Sequence, residues 1–82
     1  MNIREAMINM VDVAVACRKL HEAMADKGYS GTPYWTLYSV SANAVYMLAG
    51  EHTDTFEESV TYRVLHDDSL TNKQRASILL SR

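Results

Sequence analysis

Residues 28–50 read GYSGTPYWTLYSVSANAVYMLAG, 23 residues without a Lys, Arg, Asp or Glu in an 82-residue chain that is 22% charged overall. Thr32-Pro33 is a helix-start signal: Thr as N-cap, and Pro at the first helical position, where no backbone donor is needed. Gly50 is the matching stop, so the spacing predicts a helix over 33–49. On a helical wheel Tyr34, Leu37, Tyr38, Val45, Leu48 and Ala49 cover one broad side, and Trp35, Ala42 and Tyr46 extend it. Val40, Ala44 and Met47 lie opposite, and the remaining polar strip is Thr36, Ser39 and Asn43. A helix that is apolar nearly all round is enclosed on several sides. The rest of so short a chain cannot easily surround it, whereas a second copy could.

The same stretch does not read as a membrane span. A spanning helix needs about 20 predominantly apolar residues, and here Gly28, Ser30, Gly31, Thr32, Pro33, Thr36, Ser39, Ser41 and Asn43 interrupt the run. The opening MNIREAMINM mixes acids and bases and has no apolar signal-peptide core. No membrane partner is expected, and a single Cys, which permits no internal disulfide, fits a reducing, cytoplasmic setting.

Working outward, residues 3–27 contain no Gly or Pro and are rich in helix formers. Ala6, Met10, Val13, Cys17, Leu20 and Met24 recur at alternating steps of four and three, with Ile3, Met7, Ala14 and Ala25 widening that stripe. Asn2 is the expected N-cap, Gly28 the C′ residue, and YSGT (29–32) the turn into the second helix. Downstream, Thr55–Glu58 and Thr71–Gln74 each match a capping box. They predict short helices over about 56–66 and 72–81, the last with Ile78 and Leu79 inward. The expected fold is all-α: one domain, residues 1–82, with an antiparallel helical hairpin (about 3–27 and 33–49) and two short C-terminal helices completing a small bundle.

A chain of this size buries a smaller fraction of its surface than a larger domain does, and needs stabilisation beyond its own core. On the first helix Ile8, Val11 and Val15 lie opposite the main stripe. With Val40, Asn43, Ala44 and Met47 of the second helix, they form the expected interface of a homodimer or small homo-oligomer.

Chemistry-bearing residues are sparse. His21, His52 and His66 with nearby acids lack a zinc-type spacing such as H-E-x-x-H, so no metal or cofactor is expected. Cys17 sits mid-stripe, where a thiol packs as a small hydrophobe. Glu57-Glu58 and Asp67-Asp68 are adjacent acids that point in different directions on a helix. No catalytic residue is assigned. Tyr34, Trp35, Tyr38 and Tyr46 could line a small-ligand pocket.

A net charge of −2 disfavours nucleic acid as a partner of the whole domain. Charge is nonetheless uneven: residues 51–68 hold six acids and one base, while 69–82 hold three bases and no acid. If the two C-terminal helices formed a helix-turn-helix, Asn72, Lys73, Gln74 and Arg75 would head its second helix, as base and phosphate contacts.

The segments MLAGEHTDTFEESVTYRVL (47–65) and LTNKQRASILL (70–80) resemble small uncharacterised proteins of bacterial and prophage genomes. The resemblance implies a cytoplasmic accessory protein that binds and modulates a host or phage protein, and it transfers no site residue. The reading that follows is a non-enzymatic, self-associating interaction module, with DNA binding or small-ligand binding as alternatives.

Overall fold

The computed structural model describes residues 2–29 and 32–82. Four α-helices follow in order: α1 (Ile3–Asp26), α2 (Thr32–Leu48), α3 (Val60–Leu65) and α4 (Asn72–Leu80), with a 3-10 turn at Phe56–Glu58 before α3. No strand occurs among the described residues. α1 packs chiefly on α2 and secondarily on α4, while α3 bridges α2 and α4. The expected helical hairpin with two short helices across it is the fold.

Local chemistry sets these boundaries. Asn2 caps α1 by accepting from the Glu5 N–H at 2.8 Å. At its other end Gly28 takes φ +80°, where the N–H groups of Gly28 and Tyr29 donate to Ala25 and Met24. Gly50, at φ +69°, repeats this Schellman closure on α2 through Met47 and Tyr46. α2 begins at Thr32, the residue expected as its cap. Residues 30 and 31 of the expected 29–32 turn lie outside the described residues.

The third helix starts later than the capping-box pattern predicts. Thr55 makes no side-chain cap bond, and the chain forms one 3-10 turn before it breaks at Ser59. Ser59 is the working N-cap, its hydroxyl accepting from the Tyr62 N–H at 2.9 Å. The Thr71–Gln74 box does form. Thr71 Oγ1 accepts from the Gln74 N–H at 3.1 Å, and Gln74 Oε1 accepts from the Thr71 N–H at 2.7 Å.

The inward face of α1 differs from the predicted one. Its buried residues are Met7, Val11, Ala14, Val15, Cys17 and Arg18, whereas Val13 and Leu20 are 45% and 46% exposed. The face is turned by about one residue's 100° from the predicted stripe. α1 must serve α2 on one side and α3–α4 on the other, so the burial centre lies between its two apolar stripes. Val11 and Val15 therefore belong to the core with Val45, Leu65 and Leu79, and Ile8 packs against it. These three are not an outward seam. In α4, likewise, Leu79 is buried but Ile78 is exposed.

On α2 the buried residues are Tyr38, Ser41, Ala42 and Val45, all on one side. The opposite side stays open: Leu37 is 53%, Val40 65% and Met47 75% exposed, with Ala44 half-buried between them. No helix is long and apolar enough to cross a membrane, among the described residues.

Candidate functional site

Gly50 turns the chain back across α2. The Tyr46 hydroxyl fastens the returning segment, accepting from the Thr53 N–H at 2.7 Å and lying 3.1 Å from the Thr53 hydroxyl. This lays the 3-10 turn and α3 beside α2 and leaves a cleft of about 220 Å³ between them. Trp35, Tyr38, Ser39, Ala42 and Asn43 form one wall, and Phe56, Glu57 and Tyr62 form the other. Ring contacts run unbroken around it. From His21 they pass to Trp35 (5.2 Å), Tyr38 (5.4 Å) and His66 (5.6 Å). From His66 they continue to Tyr62 (4.2 Å), Phe56 (5.7 Å) and Tyr46 (6.0 Å).

At the junction of the two walls the Tyr38 hydroxyl lies 2.6 Å from His66 Nε2. Burial pushes the Tyr38 phenol up to about 12, with the fields of Tyr62 and Glu57 adding to the rise against Arg18. Burial also holds the His66 imidazolium below its usual range, helped by the positive charge of Arg18. The tautomer of His66 sets the direction of this bond: the phenol donates to Nε2 when the ring proton sits on Nδ1, and accepts when it sits on Nε2. Arg18 is buried and ion-paired with Glu22 at 3.1 Å and with Asp68. The bond to Arg18 and its charge hold the Asp68 carboxyl below the ordinary carboxylate range.

Two further charged groups are buried, and both bind backbone. The Schellman closure at Gly50 delivers Glu51 to the N-terminus of α3. There its carboxylate accepts from the Val60 N–H (3.0 Å), the Thr61 N–H (2.6 Å) and the Thr61 hydroxyl (2.6 Å). Burial alone would push this carboxyl up, but those bonds and Arg82, 3.7 Å away, hold it below its ordinary value. Arg75 serves the other end of α3. Nε donates to the Val64 carbonyl, Nη2 to the Asp67 carbonyl and Nη1 to Asn72 Oδ1, each at 2.6 Å.

Of the predicted pocket residues, Trp35 and Tyr38 line the cleft, whereas Tyr34 does not and Tyr46 fastens the loop behind it. The predicted nucleic-acid contacts are occupied structurally. Arg75 is buried in its carbonyl knot, Asn72 donates to Asp12 at 2.7 Å, and Gln74 closes the capping box. Lys73, the remaining one of the four, keeps an exposed side chain. The predicted interface residues divide: Val40, Asn43 and Met47 are exposed and Ala44 half-buried, while Val11 and Val15 are interior. Among the described residues no three of His, Cys, Asp and Glu converge as metal ligands.

Phe56, Glu57 and Tyr62 are cleft residues that sequence reasoning missed, and it also missed His66, which bonds Tyr38 and stacks on Tyr62. Phe56 and Tyr62 are six residues apart, a spacing that shares no helical face, and only the break at Ser59 brings them together. No family model matches the chain, and neither does any curated protein or solved structure.

Proposed function

We propose that this protein is an interaction module that acts by association and not by catalysis, and that the outer face of α2 takes a second copy of the chain. The observation that carries this is the open flank: Leu37, Val40, Ala44 and Met47, spaced three, four and three, on a helix with no charged residue. That spacing is the seam pattern of two helices packed against each other. With no charge on α2, a twofold pairing brings no like charges together. On α1, Val13 and Leu20 are exposed two turns apart, on the far side from the α4-facing Arg4.

The energy is modest. Completing the burial of a half-exposed Val, Leu or Met adds roughly 1 kcal/mol. Five such side chains on each copy give about 10 kcal/mol for the pair, against an association cost of several kcal/mol. The remainder corresponds to a dissociation constant on the order of 10–100 μM. Non-catalytic action is supported by what the ionisable groups do: Glu51 caps α3, Arg75 ties carbonyls, and Arg18 is ion-paired. The accessory role that the resemblance of residues 47–80 implies would be exercised by the assembled pair.

Val40→Glu and Met47→Glu, on the exposed flank, test this. Each should abolish chemical cross-linking of the wild-type pair at about 200 μM, well above that dissociation constant, while leaving the circular dichroism spectrum unchanged. Equal cross-linking of wild type and both variants would remove the α2 face from the account.

A further inference from the structure

The cleft lies on a different side of α2 from the open flank, and self-association makes no use of its chemistry. Its two walls each carry a ring pair. Trp35 and Tyr38 are tilted by 36° on α2, and Phe56 and Tyr62 stand edge to face at 89° opposite them. His66 holds the walls together, bonded to Tyr38 and stacked on Tyr62. Glu57 is the one ionised side chain in the lining, and among the described residues no Lys or Arg lines the space. Its negative charge reaches the Tyr38 hydroxyl. Arg18, the cation whose field also reaches Tyr38, is ion-paired with Glu22 and Asp68.

Aromatic faces are negative, and they attract a cation placed within about 6 Å of the ring centre. A primary ammonium carries three N–H donors that each need an acceptor, and apart from Glu57 and the phenols the polar side chains of the lining are Ser39 and Asn43 alone. A quaternary ammonium has no donors and needs only ring faces and one counter-charge. The volume, about 220 Å³, is below the ~300 Å³ at which pockets for drug-sized ligands begin, so it suits a head group and not an extended molecule.

We propose that the cleft between α2 and the Phe56–Tyr62 segment binds a quaternary ammonium group, with Trp35, Tyr38, Phe56 and Tyr62 as the cage and Glu57 as the counter-charge. Trp35 is the chain's single tryptophan and reports directly from the wall. The full chain is titrated at constant ionic strength with choline and with its uncharged carbon isostere, 3,3-dimethylbutan-1-ol, following Trp35 fluorescence. Choline should give a saturable change, and the isostere should bind about tenfold more weakly because it lacks the charge the rings recognise. Glu57→Gln, at an exposed position, should weaken choline about twofold to fivefold with melting unchanged.

Parallel titrations with trimethyllysine and phosphocholine identify the natural source of the group. Tighter binding of either one supports the proposal and assigns that source. Equal affinity for choline and its isostere overturns the proposal. So does unaltered choline affinity in Glu57→Gln, or the absence of saturation by about 100 mM choline, far weaker than a desolvated cation–π cage allows.

Discussion

Replacing Glu51 should unfasten α3 although the residue lies outside that helix. The Glu51 carboxylate serves two N–H groups and one hydroxyl at the helix start, and Thr61, which supplies two of those donors, is fully buried. In Glu51→Ala both Thr61 donors lose their acceptor where water does not reach, at about 1–3 kcal/mol each, and the partly buried Val60 N–H adds less. The expected loss is about 3–5 kcal/mol, a large share of the roughly 4–12 kcal/mol typical of a domain this size. Glu51→Gln keeps one carbonyl oxygen for Thr61 but turns an amide donor towards the Val60 N–H, so about 1–2 kcal/mol is expected.

Thermal unfolding by circular dichroism reads both. Each kcal/mol moves the midpoint by about 4–8 °C in a domain of this length, so Gln should cost about 5–15 °C and Ala at least twice as much. A Glu51→Ala midpoint within about 4 °C of wild type would refute the reasoning. The pH dependence has a definite sign. The folded carboxyl is held below 4.5, so its stabilisation is present above that pH and lost as pH falls through the lowered folded value. Glu51→Gln should flatten that part of the acid limb.

Other consequences follow from the same contacts. His66 is held below 6.5 in the folded protein, so its contribution to stability is present above about pH 6.5 and declines as pH falls towards and through the folded value. Tyr38→Phe removes the hydroxyl bonded to Nε2; with the phenol as donor, the His66 titration followed by NMR should move up towards 6.5, and a downward shift would show that Nε2 is the donor. Arg75→Met keeps the apolar stem but leaves the Val64 and Asp67 carbonyls without their donor, and should cost about 2–4 kcal/mol in urea unfolding. A loss below about 0.5 kcal/mol, the range of ordinary surface changes, would show that the knot is not structural.

Much of the architecture was legible in the sequence because it is written in local signals. Gly28 and Gly50 mark helix ends that only positive φ can close, and Thr71-Asn-Lys-Gln74 states a cap that forms as read. Where two local solutions competed, the pattern did not decide. Thr55–Glu58 and Ser59 both offer a cap, and Ser59 wins because Glu51, distant in the pattern but delivered by the Gly50 turn, already covers the next two N–H groups. The rotation of α1 was hidden for a related reason. Its two apolar stripes are similar in strength, and only the positions of α2 and α4 choose the burial centre between them. Arg18 and Arg75 look like surface cations in sequence, because carbonyls and acids brought from 8 to 50 residues away have no sequence signature. The cleft was half legible: Trp35 and Tyr38 share a face of α2, but Phe56 and Tyr62 meet them only after the Ser59 break.

Sedimentation of the wild-type chain across a concentration series, from about 5 to about 500 μM, tests the α2 face most directly. The account predicts a reversible rise in weight-average mass from one chain towards two, with its midpoint on the order of 10–100 μM. A mass that stays at 9.3 kDa throughout would contradict it.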